Sequence, residues 1–265
     1  MKNKFPTFKF DYPETEEYQV ITEENRDSLA KYMISKNLKK LIVISQEEEP
    51  AWNSSVMPDL SDFSFLDELC VHWTNISNIE SVHYCINLKI LSLDNDDKTA
   101  IDFSKFPFLE KFISWNRKNI KNIWNVPTLK ELTLAGLKSN HFQSGVALNS
   151  LEELRIIRTP LEDISFLLES KKITFLELLN MSKIEDLSPL KHLIKLKHLR
   201  IVANKVKDFS FIKHLVNLET LYITSKVAEF EFDYFSALSN IRKINLSGNT
   251  SIQTFNRELK KRFNK

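Results

Sequence analysis

A short apolar signature, Leu-x-x-Leu-x-Leu, returns ten times along this chain. The clearest copies begin at Leu66, Leu88, Leu109, Leu129, Leu151, Ile173, Leu196, Leu218 and Ile241, after a weaker first copy formed by Leu38, Leu41 and Val43. Subtracting each clear start from the next gives intervals of 22, 21, 20, 22, 22, 23, 22 and 23 residues. A unit this short cannot bury its own apolar face, so successive units must stack around one continuous core. The chain is therefore expected to form an α/β repeat solenoid, a horseshoe or arc. A parallel β-sheet would line its concave face, and irregular or 3₁₀ segments its convex face.

The unit from Leu196 shows how the letters map onto this architecture. The alternation Leu199-Arg200-Ile201 is the period-two pattern of a short strand with one buried face. Asn204 stands where an amide can satisfy backbone groups as the chain leaves the strand. Val206, Phe209, Ile212 and Leu215 are then expected to point inward along a tighter return path.

Leu-x-x-Leu-x-Leu-x-x-Asn-x-Val resembles the leucine-rich repeat signature. The segments Asp163-Ile164-Ser165-Phe166-Leu167, Asp186-Leu187-Ser188-Pro189-Leu190 and Asp208-Phe209-Ser210-Phe211-Ile212 are similar to the return motif of its 22-residue subclass. That subclass is found in bacterial internalins and in a eukaryotic regulator of protein phosphatases. The resemblance covers roughly residues 38 to 255. It implies a protein-binding scaffold, and by analogy with the phosphatase regulator a role in controlling a bound enzyme. The chain departs from the pattern at the amide position, which holds Thr74, Asp96, Arg117, Leu137, Thr159 and Lys226 in other copies. Ser114 stands where an aliphatic residue belongs, so residues 95 to 145 are expected to be less regular.

Thirty-seven basic and 35 acidic residues leave a formal charge of +2, well mixed along the chain, which argues against nucleic acid as a partner. Three glycines cannot build a Walker loop or a dinucleotide fingerprint, and no cofactor is expected. Two cysteines are too few for a disulfide scaffold. No apolar run approaches the roughly 18 residues that span a bilayer, and the basic start lacks the apolar segment of a signal peptide. A cytoplasmic monomer without membrane insertion is the expectation.

Both ends of a solenoid need covering. Residues 1–37 read as an N-terminal cap, with aromatic, strand-like Phe5, Phe8, Phe10 and Tyr12. A helix follows, capped by Thr22, with Leu29, Tyr32 and Met33 on one face. Repeats occupy residues 38–254, with an insertion near 46–62 in which an acidic run forms a loop and Trp52 is either packed or exposed for binding. Residues 255–265 form a basic amphipathic cap or tail, its Phe255, Leu259 and Phe263 spaced four apart.

Cys70, His72, His83 and Cys85 have the ligand types of a structural zinc site. The repeat register opposes it: Cys70 and His72 are assigned to the exposed strand face, whereas His83 and Cys85 fall on the return path, with Cys85 inward. His192 and His214 recur at equivalent positions, and Asp163, Asp186 and Asp208 recur as turn residues, so neither set reads as a catalytic group. Neither a metal site nor catalysis is expected.

Function is then expected on the concave sheet, at positions five, seven and eight of each unit. Ile157, Leu179 and Val202 form an apolar row with Trp115 beyond Ala135. Arg155, Glu177, Arg200 and Tyr222 form a ladder beside it, and Trp73 and Arg158 occupy the eighth position. The ladder in part compensates itself, since neighbouring cross-strand pairs contribute roughly 0.2–1 kcal/mol each. The aliphatic, aromatic and arginine mixture has the composition of an interaction hot spot. These ten residues are the expected contact set for a protein partner that the scaffold regulates or neutralises. The alternative is the recognition part of a larger bacterial effector whose catalytic domain lies elsewhere.

Overall fold

A computed structural model describes residues 5–10, 17–45, 51–95, 97–115, 117, 119–137 and 148–263. Tyr12, the acidic run at 47–49 and Asp96, all named above, lie outside the described residues. The chain divides into two compact units, Met1–Leu129 and Lys130–Lys265.

In the first unit the strands are β1 (Thr7–Phe8), β2 (Tyr18–Val20), β3 (Lys40–Ile44), β4 (Glu68–His72), β5 (Ile90–Leu93), β6 (Ile101–Asp102), β7 (Lys111–Trp115) and β8 (Ile120–Lys121). Helix α1 (Arg26–Ser35) joins β2 to β3. The strand order β1-β2-β3-β4-β5-β7 is parallel from β2 onward, and β1 runs antiparallel to β2. Pairing is one to one: Leu41, Leu69, Leu91 and Phe112 stand in register and none is exposed. Each such side chain stabilises the stack by roughly 1.5–3 kcal/mol of burial. Short 3₁₀ turns return the chain and send Phe63, Val82, Phe103 and Ile123 into the same core. On this return path β6 pairs with β8, a small second sheet within the segment expected to be irregular.

The second unit contains β9 (Glu131–Ala135), β10 (Glu153–Ile157), β11 (Phe175–Met181), β12 (His198–Ala203), β13 (Thr220–Ser225) and β14 (Lys243–Gly248), all parallel and in chain order. Leu132, Leu154, Leu176, Leu199, Leu221 and Ile244 form its core row. Val206, Phe209, Ile212 and Leu215 point inward as expected, each fully buried. The recurring aspartates are turn residues. Asp163, Asp186 and Asp208 accept the main-chain N–H of Ser165, Ser188 and Ser210 at 2.9, 2.7 and 2.7 Å, and each serine hydroxyl donates to the same carboxylate. Helix α2 (Thr250–Phe263) packs on β14, burying Ile252, Asn256 and Leu259. Asn256 turns its Oδ1 to the N–H of Leu246 at 3.1 Å, satisfying a donor on an edge strand.

Two expectations are corrected. Asn204 is exposed, and Ala203 takes the inward place beside it. In the copies with Thr159 and Met181 buried at the ninth position, the eighth residue is left-handed: Arg158 at φ 51° and Asn180 at φ 58°. The β11–β12 register slips between Leu179 and Met181, and from there the strands stay extended one residue longer. Ala203 and Ser225, at the eighth position, now face inward, and Asn204 and Lys226 at position nine turn out to solvent. At position nine Asn249 does satisfy the backbone, donating to the Lys226 carbonyl at 3.0 Å, and further amides stand just before the strands, where Asn87, Asn217 and Asn240 donate to the carbonyls of Ser64, Ile194 and Val216, one turn earlier.

Cys70 is the second correction. It lies on the outer sheet face as assigned, yet only 3% of it is exposed. Phe8 and Phe10 lie over Tyr18, Val20, Ile42, Ile44 and Cys70, so the aromatic N-terminal segment covers the start of this face. His72 is half-buried for the same reason, with the Phe10 ring 5.7 Å away.

Candidate functional site

In the second unit the parallel register places Arg155, Glu177, Arg200, Tyr222 and Asn245 side by side on the outer sheet face. Ile157, Leu179 and Val202 form the adjacent row, all three half-buried. The expected ladder is an ion-pair chain. Glu177 is shared by Arg155 at 3.5 Å and Arg200 at 3.6 Å. Arg155 is further held by Glu153 at 3.0 Å and lies 4.2 Å over the Phe175 ring, so its guanidinium is committed within the chain. Arg200 keeps 55% of its side chain in solvent and is the freer cation of the two.

Beside Arg200 a groove of about 390 Å³ is lined by Phe175, Glu177, His198, Arg200, Thr220 and Tyr222. His198 Nδ1 and Thr220 Oγ1 lie in hydrogen-bond contact at 2.9 Å, and Lys243 sits 5.4 Å over the Tyr222 ring. Phe175, His198, Thr220 and Lys243 belong to the third position of their repeats, which sequence reasoning left out. The strand period of two puts positions three, five and seven on one face, so the signal was present in the alternation itself. Arg158 is exposed at the end of β10.

Trp73 and Trp115 belong to the first unit, where 53% and 37% of each is exposed. Trp73 has a left-handed backbone at φ 53° and donates its main-chain N–H to Asp94 Oδ1 at 2.9 Å. Its ring meets His72 edge-on at 5.7 Å and Phe8 at 5.9 Å. His72 Nε2 contacts Ser92 Oγ at 2.8 Å, and Nδ1 lies 3.9 Å from Asp94 Oδ2. Burial lowers the His72 pKa, against the pull of Asp94, and raises that of Asp94, against the pull of His72. These three residues have the order of a nucleophilic triad, but the carboxylate is beyond hydrogen-bond reach and Ser92 is only 5% exposed.

The zinc-type residues stay apart in role: Cys85 is fully buried, and His83 Nε2 accepts the N–H of Asp102 at 3.0 Å on the return path. Among the described residues no group of three or more His, Cys, Asp or Glu side chains converges on a metal-sized site. Among them, too, no helix is long and apolar enough to cross a membrane.

No protein-family model and no curated relative matches the sequence. Solved structures do match. The functional domain of InlJ from Listeria monocytogenes aligns with a TM-score of 0.53 at 17% identity, over 81% of this chain and 50% of that one. Internalin C2 of the same organism gives 0.50 at 22% identity, over 64% and 76%. A plant peptide hormone receptor, RGFR1, solved in complex with RGF2, gives 0.50 at 16% identity, over 78% of this chain and 38% of the receptor. The chain thus spans about half of the InlJ domain and less of the receptor. Together with the 22-residue period and the parallel register, these likenesses show that the chain has a leucine-rich repeat fold similar to that of the internalins.

Proposed function

We propose that this protein is a non-enzymatic scaffold that binds a protein partner on the outer face of its parallel sheet. The groove beside Arg200 carries this reading. It joins an exposed guanidinium, two aromatic rings and a histidine on a rigid strand platform, the side-chain mixture in which interface energy concentrates. Ile157, Leu179 and Val202 supply the apolar strip next to it, and Arg158, Arg155 and Glu177 complete the proposed contact set of the second unit; Trp73 and Trp115 are the residues proposed to contact a partner on the first unit. The peptide complex of the plant receptor, a protein of the same fold, supports recognition of a polypeptide. Binding is read as regulating or neutralising the partner, in the cytoplasm and as a monomer. A second reading, the recognition part of a larger effector, draws on the greater length of InlJ; sequencing the intact reading frame decides it.

The test is a charge reversal on each side of the repeat. Arg200→Glu should remove partner binding, whereas Lys213→Glu, exposed on the return path, should leave it unchanged. Equal affinities for the two variants would overturn the assignment.

A further inference from the structure

We infer that the outer face of strands β11 to β14 receives an acidic polypeptide segment of the partner. One carboxylate seats in the groove that Arg200 and Tyr222 line, and others reach Lys243 and Lys260. This rests on the sheet face being the partner face and states what the partner must present there.

Contacts within the second unit join the cations into one track. Arg200 and Tyr222 are register partners on β12 and β13, and both line the groove of about 390 Å³. The Lys243 ammonium lies 5.4 Å over the Tyr222 ring. Asn245 is the register partner of Tyr222 on β14, and its Oδ1 accepts from Lys260 Nζ of α2 at 3.4 Å. Arg200, Lys243 and Lys260 therefore border one continuous stretch of the face, and all three are exposed.

The face does not neutralise these charges. Positions three, five and seven of β11 to β14 carry a single carboxylate, Glu177. It is divided between Arg155 at 3.5 Å and Arg200 at 3.6 Å. Among the described residues no carboxylate lies within 4.0 Å of the Lys243 or Lys260 ammonium. The row just before the strands repeats the imbalance, with Glu219 shared by Lys197 at 3.8 Å and Arg242 at 3.5 Å. Exposed cations in excess of their carboxylates set a positive potential over this face, which steers and orients an acidic partner.

The groove itself suits a glutamate or aspartate side chain. Phe175 and Tyr222 offer rings to an aliphatic stem, and Arg200 offers a fork of donors to the carboxylate at its end. His198 Nδ1 and Thr220 Oγ1 are engaged with each other at 2.9 Å, whereas the Tyr222 hydroxyl makes no hydrogen bond among the described residues and is a second donor for the partner. A nucleic acid would fit this track poorly, because about six or more phosphate contacts are usual and three exposed cations line it.

The experiment titrates the whole chain with a capped hexaglutamate peptide, followed on backbone amide resonances. Hexaglutamine is the uncharged control and a thymidine octamer the polyphosphate control. Saturable shifts at Arg200, Tyr222, Lys243 and Asn245 are expected with hexaglutamate, absent with hexaglutamine and weaker with the octamer. Arg200→Gln should weaken hexaglutamate binding about tenfold, a loss of roughly 1.4 kcal/mol, and Lys243→Gln about threefold. Lys213→Gln, on the return path, should change nothing. No saturable shift at these amides, an equal response to hexaglutamine, unchanged affinity in both variants, or equal or tighter binding of the octamer would overturn the acidic-segment site. Such a result would leave the broader proposal standing if Arg200→Glu still abolished partner binding.

Discussion

The guanidinium of Arg117 meets the carboxylate of Asp97 at 2.7 Å with both side chains wholly removed from solvent. Arg117 stands at the ninth position of its repeat, where the sequence pattern calls for an amide. It also donates to Asn95 Oδ1 at 3.2 Å and to the Thr99 carbonyl, while Asp97 accepts the Thr99 N–H at 2.6 Å. The network does the work of the missing asparagine by tying one return path to the next. Breaking a buried pair by removing one partner costs about 3–5 kcal/mol, because the other charge is left alone. Arg117→Met is expected to lower stability by that amount in urea titration, and Asp97→Asn added to it should restore part of the loss.

The alternative conformations of the eighth position make opposite demands. Arg158 is left-handed and exposed, so Arg158→Gly should relieve strain and raise stability by up to about 1 kcal/mol. Ala203 is extended and buried, so Ala203→Gly should lower it by about 0.5–1 kcal/mol. Thermal melts of the two variants should move in opposite directions.

Gly248 closes the sheet at φ 153°, and a Cβ there would lie 1.7 Å from the carbonyl oxygen of Ser225. That contact is with backbone and cannot yield locally. Gly248→Ala should cost about 2 kcal/mol or more and loosen α2, read as faster hydrogen exchange at Leu246.

Burial pushes the thiols of Cys70 and Cys85 up to about 12. The folded state thus prefers the neutral thiol, while the unfolded chain ionises near pH 9. Stability from this source is complete below about pH 8.5 and is lost as pH rises toward 12. Unfolding free energy measured between pH 8 and pH 11 should fall, and the double variant Cys70→Ala/Cys85→Ala should show a shallower slope. Native protein should resist a thiol reagent that labels both cysteines in urea.

Much of this fold was legible because the core letters repeat. The leucine register alone placed Arg155, Glu177, Arg200 and Tyr222 on one face, and the structure pairs them strand by strand. What escaped the sequence depends on single backbone torsions or on distant segments. Nothing in the letters around Asn204 signals that a slip at Met181 turns the next amide outward. Cys70 alternates as an exposed residue should, and only the fold of Phe8 and Phe10 over it makes it core. Phe175, His198 and Lys243 were readable from strand alternation, had the third position been counted.

The most direct measurement of the central claim is the dissociation constant of the natural partner, recovered by affinity capture, for wild type and for Trp115→Ala and Arg200→Glu. Arg200 keeps 55% of its side chain in solvent, so Arg200→Glu should melt as wild type does, whereas Trp115 is 37% exposed and Trp115→Ala should melt somewhat lower while staying folded at the assay temperature. A sheet-face interface on the second unit requires Arg200→Glu to weaken binding about thirtyfold or more, a hot-spot loss of roughly 2 kcal/mol, and one on the first unit requires the same of Trp115→Ala. Wild-type affinity in both would show that the partner binds elsewhere.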